Sequence, residues 1–232
     1  MRSAKEILQD KKYYVAAEAD VLVVGAGHAG IEAAVAATKM GKKVVLFTLS
    51  LDALANLPCN PNIGGSAKGQ LTREIAAMGG LMPEIADRCG IQFRMLNRSK
   101  GPAVRAPRAQ MDRRQYQVQM KHALEKIESL QLIQAEVTEI LGHEVAEEDW
   151  TWRTAASGGP YYKVEGLVTK LGTVFLAPTV IVTTGTYLDA DIVIGESVMP
   201  GGPDHQQNAV GLADSLAEFA IPLMRFKTGT PV

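Results

Sequence analysis

The chain has 232 residues, of which 47% are hydrophobic and 21% charged, with a formal net charge of -1. That length suits one large domain or a domain with an insertion, and the composition is that of a globular protein rather than a disordered or collagen-like one. The balanced charge excludes bulk electrostatic attraction to nucleic acid, so any anion-binding site must be local.

Cys59 and Cys89 are the two cysteines and form no CxxC pair, so no disulfide framework is expected. The histidines at 28, 122, 143 and 205 are too scattered for a metal cluster. No apolar run reaches the ~18 residues of a membrane span, and the N-terminus has no signal-like apolar core. The expected compartment is a reducing cytoplasm, with no membrane partner.

In chain order, residues 1–18 read as a charged lead-in and 19–232 as one domain. Asp20–Val24 is a continuous apolar strand of the buried parallel type. "GAGHAG", Gly25–Gly30, turns it into a helix expected over about 30–40, stopped by Gly41. Lys43–Phe47 is a second buried strand, completing a βαβ unit.

A GxGxxG run in this strand–turn–helix context points to a dinucleotide. Gly25 permits the tight turn, Gly27 lets backbone approach a diphosphate, and Gly30 allows close helix–strand packing. Ala26, His28 and Ala29 complete the turn, whose amides face the phosphates with the helix dipole in favour. Such turns usually have an acid at the end of the second strand to hold a ribose. Here Thr48 stands at that place, so the dinucleotide's identity stays open on these residues alone.

"LANLPCNPNIGGSAKGQ", residues 54–70, reads as a loop with a demanding backbone path. Cys59 is either a small space-filling residue or a thiol near a helix start with a lowered pKa. Asn60, Asn62, Gly64 and Gly65 would bring amides and bare backbone close to a flat ligand, and Lys68 would add a positive charge. Helices are expected at about 67–78 and over Pro83–Arg88.

"RMLNRSKGPAVRAPRAQMDRR" reads as a basic loop running into a helix over about 109–129. Lys100, Arg105, Arg108 and Arg113 in this stretch are candidates to grip an anion, whether RNA backbone, a folate tail or the cofactor diphosphate, because guanidinium forks suit phosphates and carboxylates. Gly101, Pro102 and Pro107 suggest a placed loop rather than a solvated face. Residues 131–140 alternate like one strand, 142–160 look like a surface loop, and 161–178 form a hairpin turning at Leu171-Gly172. "TVIVTTGTYLDADIVIG" is a further buried strand; Gly185 at its end is a candidate second contact for the ligand, the alternative being an ordinary strand–turn. A last helix is expected over Ala209–Phe219.

The blocks "GAGHAGIEAA", "CNPNIGGSAKGQL", "GGLMPEIAD", "GIQFRMLNRSKGPAVRAPRAQMDR", "TTGTYLDADIVIG" and "RFKTGTP" resemble, in order, the N-terminal half of the MnmG (GidA) family. These are flavoproteins that modify the wobble uridine of certain tRNAs. The resemblance runs from about Asp20 to the end, and the "SKGPAVRAPRAQ" and "CNPNIGG" blocks make it specific.

The resemblance implies an α/β fold: a Rossmann-like FAD-binding domain with a central parallel sheet, helices on both faces and an added β-hairpin or meander. It implies FAD at Gly25–Gly30, with Val137 at the adenine end, and Cys59 as a catalytic residue. By resemblance the reaction adds a carboxymethylaminomethyl or aminomethyl group at C5 of uridine. The one-carbon unit comes from methylenetetrahydrofolate and the reducing power from NADH. Uracil C5 becomes nucleophilic once a thiolate adds at C6, which is why a thiol such as Cys59 belongs near the flavin. tRNA, the GTPase MnmE and a second copy in a homodimer are the implied partners. Family members are much longer, so a truncated form is expected, incomplete in fold and lacking the region that meets MnmE. Residues 142–160 are also longer than the family pattern. A related FAD- and folate-dependent tRNA uridine methyltransferase, or a non-catalytic FAD- or RNA-binding module, are the competing readings.

Overall fold

The structure, a computed structural model, describes residues 1–58, 60–146 and 160–226. The chain opens with a short helix α1 (Ala4–Ile7) and strand β1 (Tyr14–Glu18), where the sequence suggested only a lead-in. Strand β2 (Val21–Val24), helix α2 (His28–Lys39) and strand β3 (Val44–Thr48) form the expected βαβ unit. Strand β4 (Asn62–Gly64), helices α3 (Lys68–Ala77) and α4 (Leu81–Cys89), and strands β5 (Gly90–Leu96) and β6 (Ala106–Met111) follow. Helix α5 (Arg113–Glu125) leads to strands β7 (Leu130–Gln134), β8 (Val137–Val145), β9 (Tyr161–Thr169), β10 (Thr173–Leu176) and β11 (Val180–Val182). The hairpin of β12 (Asp191–Ile194) and β13 (Ser197–Pro200) and helix α6 (Leu212–Glu218) close the described part.

A four-stranded parallel sheet in the order β11-β2-β3-β7 is the centre of the molecule. Both of its faces are covered, which is why its strands read as unbroken apolar runs. Alternate side chains separate onto the two faces. Val21, Val23, Val44 and Leu46 pack with Ile31 and Ala34 of α2, Ile85 of α4 and Tyr116 and Met120 of α5. Leu22, Val24, Val45 and Phe47 meet Val137, Leu167 and Phe175 of a second sheet, β1-β10-β9-β8, together with Leu212 and Leu216 of α6. Phe47 meets Phe175 edge to face, ring centres 4.9 Å apart. Full burial of each such side chain contributes about 1.5–3 kcal/mol.

Several sequence expectations are corrected. The basic stretch is not one loop entering a helix at 109. Residues 90–96 and 106–111 are strands that pair antiparallel, Arg94 opposite Arg108 and Phe93 opposite Ala109, and β4 pairs with the other edge of β6. Helix α5 starts only at Arg113, where the Asp112 side chain accepts the Gln115 N–H at 2.9 Å. The strand expected over 131–140 breaks at Ala135-Glu136, and its halves serve different sheets. Residues 191–200, part of which was read as a continuation of a buried strand, form an exposed hairpin.

Helix α4 begins before Pro83, at Leu81. Glu32 of α2 makes this start possible, accepting the N–H groups of Leu81 at 3.1 Å and Met82 at 2.5 Å. The expected loop at 142–160 is strand up to Val145, and 147–159 lie outside the described residues. Among the described residues no helix is long and apolar enough to cross a membrane, and no cluster of His, Cys, Asp and Glu could hold a metal ion.

Candidate functional site

The site is built at the carboxyl ends of β2, β3 and β11, where the parallel strands release the chain into turns. Gly25 leaves β2 with φ +104°, and its N–H donates to the Phe47 carbonyl at 2.9 Å. A Cβ there would collide with the Thr183 carbonyl. Gly30, buried one turn into α2, touches the same knot: a Cβ would fall onto the Gly25 carbonyl and lie 2.5 Å from Thr183 Oγ1. Thr183, just past β11, locks the turn by donating from Oγ1 toward the carbonyls of Val24 and Gly25, each at 2.9 Å.

Gly27 differs from these two glycines. It is exposed, in extended conformation at the N-cap of α2, and a Cβ on it would meet nothing within 4 Å. No side chain caps α2, and its first turn contains no acid. The bare amides and the positive end of the helix dipole therefore face open space.

That space is a groove. It is lined by Gly25, Ala26 and Gly27, by Phe47, Thr48 and Ser50 from the end of β3, by Val137 of β8, and by Thr183–Tyr187 after β11. Asn56, Gln206, Ala209 and Leu212 complete its wall. Among the described residues, no Lys, Arg, Asp, Glu or His lines it. An anion in the groove would meet the helix amides as its main positive partner, and a flat apolar group would meet Val24, Phe47 and Val137. The uncovered amides, the room over Gly27 and the apolar floor fit a dinucleotide diphosphate. The Thr48 hydroxyl, standing where an acid is more usual, donates to the Ser50 carbonyl at 3.0 Å.

His28 follows Gly27 but faces away from the groove, its Nε2 3.1 Å from the Tyr116 hydroxyl of α5. Burial lowers its pKa from 6.5 to about 4, and burial raises that of Tyr116, so both stay uncharged at neutral pH. A histidine with a depressed folded pKa adds no pH dependence above 6.5. Below it the unfolded chain takes the proton first, so stability falls as pH drops from 6.5 to 4 and levels off beneath. The expected loss is about 3 kcal/mol. Urea unfolding of the wild type and His28→Gln across that window should show it as a gap between the two curves that changes with pH. Parallel curves would refute the buried pairing.

The candidate residues do not all converge. Gly25, Ala26, Gly27, Thr48, Val137 and Gly185 line the groove, and Ala29 and Gly30 belong to the same turn. Asn60, Gly64 and Gly65 do not line it; Gly64 lies in β4 against the Pro107 carbonyl, and the Gly65 N–H donates to that carbonyl at 2.8 Å. Cys59 lies outside the described residues.

Lys100, Arg105 and Arg108 are exposed on the β5–β6 connection and β6. That connection is placed rather than loose. Asn97 Nδ2 donates to Ser66 Oγ and to the Val104 carbonyl, both at 3.0 Å, and Gln70 Nε2 donates to the Arg105 carbonyl at 3.2 Å. Arg108 Nε donates to Asn62 Oδ1 at 2.9 Å. Arg113 stands apart from them, in a polar annex with Asp52, Arg114 and Gln117 that shares Ala53, Asn56 and Gln206 with the groove. Sequence reasoning missed Thr183, Asn56 and Gln206, which have no local motif; only the proximity of Thr183 to the Thr-Gly-Thr strand end was a signal.

The family model described as Glucose inhibited division protein A matches residues 20–232. Among curated proteins, the tRNA uridine 5-carboxymethylaminomethyl modification enzyme MnmG of Caldicellulosiruptor saccharolyticus is 47% identical over 218 residues, 94% of this chain. MnmG of Geobacter metallireducens is 49% identical over 222 residues, 96% of it. The chain spans 32% of the length of each of these relatives. The solved structure of Aquifex aeolicus GidA superposes with a TM-score of 0.80 at 45% identity, covering 92% of this chain and 33% of that one. A GidA-related protein from Thermus thermophilus shares the fold, with a TM-score of 0.52 at 22% identity.

Proposed function

The chain belongs to the Glucose inhibited division protein A family, and from that premise we propose that it binds FAD in the groove and serves the modification of uridine in tRNA. The observation that carries the cofactor reading is the uncapped start of α2 facing the groove over an exposed Gly27. Amides of the first turn of α2 would hold the diphosphate, with Gly27 leaving room for it. Thr48 and Ser50 would lie toward the ribose of the adenosine half, Val137 at its adenine, and Gly185 further along the groove. Thr183, also on the groove wall, would act on the turn itself, its hydroxyl bonded to the Val24 and Gly25 carbonyls.

FAD, when bound, would supply the redox chemistry. This chain's own part is to orient it, to exclude water with Phe47 and Val137, and to bring tRNA alongside. Lys100, Arg105 and Arg108 offer cations on a pinned connection, a surface suited to an RNA backbone. Arg113, held in the annex, is better placed to act on the groove than on RNA. Cys59 is the proposed thiol for attack on uridine. Methylenetetrahydrofolate and NADH as co-substrates, MnmE and a second copy as partners, and a cytoplasmic location complete the reading. A full turnover would draw on the two thirds of the relatives' length that this chain does not span.

The visible spectrum of the purified chain, before and after incubation with FAD, tests the cofactor. Flavin absorbance that stays with the protein on gel filtration is the expected result, and a colourless protein that takes up none would reject the proposal. For RNA, Arg105→Ala with Arg108→Ala should weaken tRNA binding about tenfold in a gel-shift titration at low salt, with the gap narrowing as salt rises. Equal affinity before and after would remove the basic connection from the interface.

A further inference from the structure

One wall of the groove is a segment that the glycine turn does not account for, residues 201–209. On one side it is stitched to the turn after β11. Gly201 N–H donates to the Ala190 carbonyl at 3.0 Å, Ala209 N–H to Tyr187 at 2.9 Å, and Asp189 N–H back to Ala209 at 2.9 Å. Gly202 lies against the Tyr187 ring. Gln206 and Ala209 face the groove.

On the other side it is held at two points: Gln207 Nε2 donates to Glu136 Oε2 at 3.3 Å, and Asp204 reaches across to α5. Asp204 forms an ion pair with Arg113 at the start of α5, and its Oδ2 accepts from Asn56 Nδ2 at 2.9 Å. Arg113 in turn donates to Asn56 Oδ1 at 2.7 Å. Three segments far apart in sequence thus close a ring where the groove meets its polar annex.

Two features suit this ring to open. Asp204 and His205 hold successive left-handed conformations, φ 57° and 55°, which non-glycine residues keep only when their surroundings impose them. The Arg113–Asp204 pair is accessible, with side-chain exposures of 38% for Arg113 and 32% for Asp204, so water competes with it. Opening would join the groove to the annex, since both are lined by Ala53, Asn56 and Gln206.

We propose that Asp204, Arg113 and Asn56 form a latch that holds residues 201–209 across the end of the groove, and that a dinucleotide enters and leaves when the latch opens. The part concerning the dinucleotide rests on the reading of the groove as the FAD site. Asp204→Asn removes the charge yet keeps a residue that tolerates the left-handed region. In the flavin-free protein it should speed amide hydrogen exchange of residues 201–209 about fivefold, with the central sheet unchanged. Arg113→Gln should do the same, and the double variant less than the product of the two effects, because both break the shared Arg113–Asp204 pair.

With FAD as the probe in stopped flow on Asp204→Asn, association and dissociation should both accelerate by about the same fivefold factor, leaving affinity within about twofold. Unchanged exchange in 201–209 would overturn the latch whatever the flavin does. Unchanged FAD rates, or faster dissociation alone, would overturn its gating role. A wild-type chain that takes no FAD would overturn the gating role together with the cofactor reading, while the exchange experiment still decides whether the latch exists.

Discussion

Gly27→Val should yield a folded protein that no longer takes up FAD. A side chain at this position meets nothing within 4 Å, and the backbone is already extended, so valine fits without strain. The change of N-cap costs about 1 kcal/mol at most. The isopropyl group would instead fill the space over the first amides of α2. Loss of two charge-assisted hydrogen bonds to phosphate, each about 1.5–3 kcal/mol, predicts affinity lower by at least about a hundredfold. Urea unfolding should give nearly the wild-type midpoint, and a flavin fluorescence titration should give no saturable binding. A variant that folds and still retains flavin would show that the diphosphate is held elsewhere.

Gly30→Ala should have the opposite profile, failing in the fold before the ligand is considered. The added methyl would overlap the Gly25 carbonyl and crowd Thr183 Oγ1, and Gly30 is buried where α2 rests on β2 and β11. Relief requires moving α2 off the sheet, because the obstacle is backbone rather than a flexible side chain. The expected cost is about 3 kcal/mol or more, which for a chain of this size lowers the melting midpoint by about 10 °C. A thermal melt measures it directly, and an unchanged midpoint would contradict the close helix–strand contact. Two glycines three residues apart thus separate by mechanism, one leaving room for a ligand and the other for the fold.

The first 30 residues after Asp20 were legible in advance because each signal in them is local. An apolar run, a glycine that alone tolerates φ near +104°, and an alanine-rich segment ended by Gly41 require no knowledge of what packs against them. The hairpin at Leu171-Gly172 was legible for the same reason: Gly172 holds φ +81° and donates to the Thr169 carbonyl within one turn. The region 90–112 was misread because its partners are distant. The basic character of Arg94, Arg105 and Arg108 suggested a loop, whereas the pairing of β5 with β6, and of β6 with β4 some 46 residues earlier, makes most of it sheet. Helix propensity in "APRAQMDRR" yields there to strand pairing, and Asp112 marks the true start of α5.

By itself, then, the sequence determined that a dinucleotide-type turn stands at the head of an α/β domain, because φ angles, apolar period and helix stops are properties of neighbouring residues. Only the tertiary structure decided what surrounds that turn. Thr183 reaches back 158 residues to hold the Gly25 carbonyl, Val137 is brought under the groove by a break between two sheets, and Asp204 meets Arg113 and Asn56 across its end. No pattern along the chain encodes such contacts, because they arise when separate segments bury their apolar faces against the same sheet and the polar groups left at its edge find one another.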